Sequence, residues 1–452
     1  MKDCDVFILG GGLAGAAAAA GAARCGARVV LAERGLILGG TATGALVTPM
    51  QTFHSPVGRV IGGFAQEMIE ALKATGATPG HLYDPIGFSP SVTPADPDAL
   101  AEFLSRFLKN ERVEVLTGAG FKDVDVKDGV IESVTLEGGG VTLHVRADFF
   151  VDASGDAVLA HAAGAAVEID ANCQPMTLIF IMDRVDGAEI VEYQKKHPEE
   201  FYMPEDVSVL DRGYIGVSGF FGHVRRAREA GRLSVPRDRL LFFGTTRPGE
   251  VAVNTTRVSG FRGIIEEEVE EAKRIALGQV KELARFVNEE IPGFANARVV
   301  RTAERIGVRE TRRLIGRYVM NEKDVIETAH FDDAIAKGAY PMDMHLPDSG
   351  LKSEHVGGKG FYDIPLRSLL SNEIANLVLA GKHISVTHEG FCSTRVMPTC
   401  MATGQAAGAA AALAARARKD PEEIYGEIQE ALRKQGAVVF DGDVVRDELY
   451  PR

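Results

Sequence analysis

The residues that bear most directly on chemistry sit at the start of the chain. The apolar run Asp5–Leu9 leads into Gly10-Gly11-Gly12-Leu13-Ala14-Gly15, and an alanine-rich stretch follows. Glu33 stands twenty-three residues beyond Gly10, at the end of a second apolar run, Val29–Ala32. A glycine turn between strand and helix offers backbone N–H groups and the positive end of a helix dipole to a pyrophosphate. Gly10 lets the chain turn, Gly12 lets phosphate approach the backbone, and Gly15 lets the helix pack on the sheet. Glu33 is placed to accept hydrogen bonds from ribose hydroxyls. An ordinary glycine-rich turn is the plainer reading, but it does not require the strand, the helix and the acid together. Alone, the turn allows NAD, NADP or FAD. A second concentration is Lys382-His383-Ile384-Ser385-Val386-Thr387-His388-Glu389, with Arg309, Arg313 and Arg395 elsewhere. Histidine and carboxylate carry protons, and arginine forks bind carboxylate or phosphate.

The whole chain bounds what can position these groups. Its 452 residues suit two or three domains, with 45% apolar and 25% charged residues. A net charge of −13 argues against nucleic acid or an anionic membrane as the main partner. The alanine-rich runs are too short to span a bilayer. The five cysteines are scattered without a CxxC, which disfavours a disulfide scaffold or an iron–sulfur cluster and makes the cytoplasm the default location. His330, His345 and His355 have no metal-ligand spacing with a partner, so no metal is expected.

The patterns predict an α/β fold. Helices are expected near Phe64–Thr75 and Pro97–Asn110, with a strand at Val113–Leu116. Phe121–Val126, Val130–Leu136 and Val141–Val145 read as a β-meander, and Phe149–Val151 as a separate buried strand. Residues 168–360 change texture. Short strands at Thr177–Met182, Gly213–Val217, Leu240–Gly244 and Glu250–Thr255 mix there with a charged helix, Ile264–Glu290. Nucleotide-domain character returns at Asn376–Gly381, and Pro398 suits the first position of a helix reaching Arg416. A further helix is expected near Pro421–Gln435.

These stretches together resemble the FAD-dependent oxidoreductases of the FAD_oxidored type, within the glutathione-reductase-like flavoprotein superfamily. The match is carried by Gly10–Gly15 with Glu33, Leu38–Gly44, Val151–Asp156, Ile306–Arg313 and Thr394–Gly408. It implies FAD on a Rossmann-like parallel sheet with a β-meander, plus an inserted α+β substrate domain. The expected divisions are 1–167 and 361–418 for the two parts of the FAD-binding domain, 168–360 for the substrate or cap domain, and 419–452 for a helical tail. The resemblance places Gly39, Gly40 and Thr41 along the pyrophosphate or ribityl chain and Arg34 near adenosine. It sets the Phe121 backbone against adenine, and Asp152 to Asp156 (Ala153, Gly155 and Asp156 among them) over the nucleotide. Gly381 falls near the ribityl chain. Lys382 stands where the wider superfamily often has an aspartate. Met397 and Thr399 open the flavin-facing helix.

Flavin brings the redox chemistry, so the chain need only position a substrate and move a proton. His388 is the first candidate for acid or base, followed by His383 and Glu389, with Arg309 beside them. His388 also reads, more plainly, as a histidine satisfied by backbone or by Glu389, and Arg309 equally as a partner of Glu310 or Glu304 in a structural network. Arg313 and Arg395 are candidate anion anchors and His54 a candidate substrate contact. Cys400, in the first turn of the late helix, reads either as a reactive thiol or as a small buried one. No second strand–glycine–helix–acid unit appears, so NAD(P)H is expected to have no domain of its own here. The leading expectation is hydride transfer between a small organic substrate and flavin N5, with the electron acceptor and any homo-oligomer left open. The alternatives are an electron-transfer subunit like that of heterodisulfide reductase, and a non-redox FAD-binding protein.

Overall fold

The computed structural model describes residues 2–345 and 351–450. Its organising element is a sheet in which β1 (Lys2–Leu9), β2 (Val29–Glu33), β3 (Glu114–Thr117), β4 (Gly120–Lys127), β5 (Val130–Gly138), β6 (Val141–Asp152) and β7 (Leu377–Leu379) take part. The order β3-β2-β1-β6-β7 is parallel throughout, and β4-β5-β6 is an antiparallel meander. The expected meander strand Val141–Val145 and the buried strand Phe149–Val151 are one strand, β6. Its first half pairs β5, and its second half runs between β1 and β7. The alternating pattern of exposure ends at Phe149 because both faces are covered from there on.

Two helices rich in small residues cover one face. They are α1 (Leu13–Arg24) and the late helix Met397–Ala417, which with α2 (Thr41–Gly44) between them in sequence is numbered α3. A Cβ on Gly408 would lie 1.8 Å from the Ala18 carbonyl oxygen, and one on Gly404 would lie 2.2 Å from that of Ala14. The two backbones therefore touch, and this contact fixes the start of α3 against the glycine turn. Phe7, Leu9, Val30 and Phe150 fill the other face, under the meander residues Ile131, Val134 and Leu136.

A second sheet is antiparallel, in the order Gly216–Gly219, Leu240–Gly244, Val251–Val253, Phe180–Asp183, Arg298–Thr302. It has its own core, with Phe180, Phe242, Leu283 and Phe286 among its residues, the last two from the helix Glu266–Glu290. The sequence reading lacks the strand Arg298–Thr302. That strand lies on the sheet's edge, and its residues show no apolar alternation in burial. Among the described residues no helix is long and apolar enough to cross a membrane.

The C-terminal segment continues past its helix, Tyr425–Lys434, to become part of the body. Val445 pairs with Arg59, and Tyr450 packs on His54 and Tyr83. His54 is fully buried. Its ring bonds Ser91 Oγ at 2.9 Å and Asp447 Oδ2 at 2.8 Å, so it clasps this segment. His81 packs edge-on against it. Burial first, then His54 and Arg59, push the His81 pKa down to about 3. A depressed folded pKa means stability that is full above the unfolded value and is lost as pH falls toward the folded one. Between the ordinary 6.5 and about 3, this one ring should contribute a slope of about 1.4 kcal/mol per pH unit. Urea unfolding at pH 7, 5 and 4 should show a shallower acid dependence for His81→Gln than for the unaltered chain.

Candidate functional site

The glycines of the first turn answer to two different demands. Gly10 has φ +109°, and a Cβ there would lie 2.4 Å from the Ala153 carbonyl oxygen. A Cβ on Gly15 would lie 1.8 Å from the Gly10 oxygen. Both positions are closed by the protein itself. Gly12 differs. Its φ is −68°, open to any residue, and the only atom near an added Cβ is Gly40 Cα at 3.9 Å. The protein leaves that space clear, as a cradle for a phosphate group requires. Gly39 donates to the Gly11 oxygen at 2.9 Å, so the second glycine turn faces the first.

The other expected cofactor residues surround the same cleft. Glu33 is 6% exposed and accepts from the backbone N–H groups of Gly11 at 2.7 Å and Gly35 at 2.8 Å. It therefore fastens the turn first, and each oxygen keeps acceptor capacity. Arg34 is exposed beside it, and Phe121 sits half-buried on β4. Asp152 is buried, and His383 Nε2 lies 3.0 Å from its carbonyl oxygen. Burial pushes the Asp152 carboxyl up, but the adjoining His383 ring, together with hydrogen bonds from Ser154 and the Ala160 N–H, holds it below the usual range. Asp156 accepts from Thr311 Oγ1 at 2.9 Å and from Lys382 Nζ at 3.4 Å. Gly381, φ +96°, follows β7 and donates to Thr403 Oγ1 of α3 at 3.3 Å. Helix α3 begins at Met397 with proline in its first turn and no side-chain cap, so its free N–H groups point out of its end. Thr399 is buried within that turn. This donor set fits an FAD molecule laid from the glycine turns to α3.

A cavity of about 360 Å³ has three of the expected cofactor residues, Thr41, Lys382 and Met397, in its lining. The second sheet and its flanks supply the far side. Arg237 and Asp238 precede one of its strands, and Arg257 follows another. Arg309 and Arg395 also line it, as do Ile86, Phe88 and Phe243, which pack together as one apolar cluster.

Other expected substrate or catalytic residues lie elsewhere. Arg313 is 2% exposed and bonds Glu310, Glu168 and the Val386 oxygen, which makes it an interior ion-pair partner instead of an anchor. His388 Nδ1 lies 2.7 Å from Glu310 Oε1, and neither residue lines the cavity. That hydrogen bond, working against partial burial, raises the His388 pKa. His383 is enclosed, Glu389 is exposed, and His54 is the clasp described above. Burial pushes the Cys400 thiol up to about 12, so it sits there as a small protonated side chain. His330, Asp363 and Asp441 approach one another, but the Lys337 ammonium binds Asp363 at 2.6 Å and Asp441 at 2.9 Å.

Sequence reasoning missed Arg237, Arg239 and Arg257, along with Tyr340 and Asp343. A signal was present: Arg239 stands directly before the apolar strand Leu240–Gly244, and Arg257 four residues after Val251–Val253. A charge so placed has to meet either solvent or a cavity.

A parallel sheet with a glycine-turn cradle, a meander and a helix end directed at the same cleft defines a dinucleotide-binding flavoprotein. Residues 5–435 match the profile of the FAD dependent oxidoreductase family, and the chain belongs to that family. It is an FAD-dependent enzyme. No curated protein matches it. Among solved structures, it is similar to a geranylgeranyl bacteriochlorophyll reductase-like protein from Thermoplasma acidophilum. That pair shares 12% identity over 97% of this chain and 85% of the other, with a TM-score of 0.49. It is also similar to a myxobacterial chondrochloren halogenase, at 17% identity, 96% and 79% coverage and a TM-score of 0.45. A third is p-nitrophenol 4-monooxygenase from Pseudomonas putida, at 12% identity, 98% and 91% coverage and a TM-score of 0.45.

Proposed function

We propose that the protein transfers a hydride between a small organic substrate and flavin N5, with the substrate held in the cavity beside Lys382 and Met397. The carrying observation is that one cavity is lined both by expected cofactor residues, Thr41, Lys382 and Met397, and by charged and apolar side chains, Arg237, Arg309, Ile86 and Phe243 among them. When bound, FAD supplies the two-electron redox chemistry. The chain's own part is to hold the substrate, exclude water and take or give a proton.

For the proton we favour a group on the wall over His388. Asp343 is 7% exposed and accepts from Tyr340 Oη at 3.3 Å and Arg395 Nη2 at 3.4 Å. Two donors hold that carboxylate in place beside the substrate volume. Burial, and then Asp343, keep the Tyr340 phenol protonated, so it remains a donor at neutral pH. His388 acts in this scheme through Glu310 and Arg313, as a positioning residue. We place residues 168–360 as the substrate domain and the protein in the cytoplasm, a location that its five free cysteines support.

Anaerobic screening of the FAD-loaded protein against sugars, hydroxy acids, amines and steroids tests the proposal. One class should bleach the flavin absorbance. Asp343→Asn should slow that bleaching while FAD stays bound, and His388→Ala should slow it less. The opposite ranking would return the proton to His388.

A further inference from the structure

The cavity gathers positive charge in a chain whose net charge is −13. Arg237, Arg239, Arg257, Arg309, Arg395 and Lys382 line it, against the carboxylates of Asp238 and Asp343. Several of these charges are already matched. Arg239 holds Asp238 through two bonds of 2.7 Å. Lys382 reaches Asp156, and Arg395 reaches Asp343.

Arg237 and Arg309 are placed otherwise. Arg237 is 7% exposed, and among the described residues its guanidinium bonds the Asn254 carbonyl oxygen alone, from Nη2 at 3.5 Å. Its Nε is buried with no hydrogen-bond partner among the described residues, as is that of Arg395. Arg309 bonds the Pro175 oxygen at 2.5 Å and Thr177 Oγ1 at 2.6 Å, both uncharged. Burial first, then Arg257 and Arg239, push the Arg237 pKa down to about 10. Burial, then Arg395 and Arg237, bring that of Arg309 to about 9. Both remain cationic at neutral pH. A buried guanidinium with unused donors and like-charged neighbours destabilises the ligand-free protein, and an anion relieves it.

We propose that the cavity binds a small organic anion, with its charged end on Arg237 and Arg309 and its apolar body against Ile86, Phe88 and Phe243. This rests on reading the cavity as the substrate site. A guanidinium fork matches carboxylate and phosphate oxygens alike, so the shared chemistry is a compact oxyanion on an apolar body.

The FAD-loaded protein can be titrated with benzoate, isocaproate and phenylphosphonate, with benzamide and isocaproamide as neutral controls. Calorimetry, thermal melting and flavin absorbance are the readouts. At least one acid should bind ten or more times tighter than its neutral counterpart and raise the melting temperature. The carboxylate and phosphonate arms tell which oxyanion the site takes. Arg237→Gln and Arg309→Gln should each weaken binding tenfold or more. Ligand-free Arg237→Gln should melt at or above the temperature of the unaltered protein, because one of several like charges has gone. That separates lost binding from lost folding. Acids that bind no better than amides, or that bind the two variants undiminished, would overturn the proposal. Acid binding that leaves the flavin absorbance unchanged would uphold the anion site and overturn the substrate reading. A neutral compound that bleaches the flavin while no acid binds would do the reverse.

Discussion

Gly12→Val should yield a protein that folds and does not hold FAD. The position has an extended backbone, and its Cβ would meet nothing nearer than 3.9 Å in the protein. Stability of the FAD-free protein should change by no more than about 1 kcal/mol, the scale of a helix-cap change. The side chain would instead fill the space meant for the pyrophosphate. FAD affinity should fall at least a hundredfold, about 2.7 kcal/mol or more. Gly15→Ala is the contrast. Its Cβ would lie 1.8 Å from the Gly10 oxygen, so that variant should lose folding stability along with cofactor. The flavin-to-protein absorbance ratio after purification, and the melting of the FAD-free form, separate the two. A Gly12→Val protein that purifies with full FAD would remove the cradle from the account.

Arg313→Met should cause the largest loss of stability, about 3–5 kcal/mol, the range for breaking one side of a buried ion pair. The substitution leaves the Glu310 carboxylate, whose side chain has no exposure, with His388 at 2.7 Å and the Gln174 N–H at 3.0 Å. The loss should also depend on pH. The hydrogen bond to Glu310 raises the His388 pKa above the ordinary 6.5. Stability from a raised pKa is full below the unfolded value and is lost as pH rises through the folded one. His388 is therefore a cation for Glu310 at pH 5.5 and less so at pH 8, so the variant should be hurt more at pH 8. Urea midpoints at the two values measure this. A loss below about 1 kcal/mol at pH 8 would restore Arg313 as a substrate anchor held for function.

The same contrast shows what was legible in the sequence. Gly10, Gly15 and Glu33 announce themselves because strand, turn, helix and acid follow one another within thirty residues. The start of α3 is legible because Pro398 is tolerated at one end of a helix only. What local pattern cannot supply is which side of a wall a polar residue faces. His388 and Arg395 are seven residues apart; one bonds Glu310 and is not in the cavity lining, whereas the other lines the cavity. His54 depends on Asp447, nearly four hundred residues away, and Arg313 on Glu168. The strand β6 was divided in two because its halves meet different neighbours. The cavity arginines come from segments far apart in sequence, around 237–257, at 309 and at 395.

The central claim is that an organic substrate in this cavity reduces the flavin directly. Anaerobic rapid mixing of the FAD-loaded protein with the most effective compound of the screen, and separately with NADH and NADPH, tests it most directly. The account predicts fast bleaching by the organic compound, slowed tenfold or more by Arg309→Gln, and slow bleaching by either nicotinamide. Rapid bleaching by NADH or NADPH, with no response to any organic compound, would contradict it.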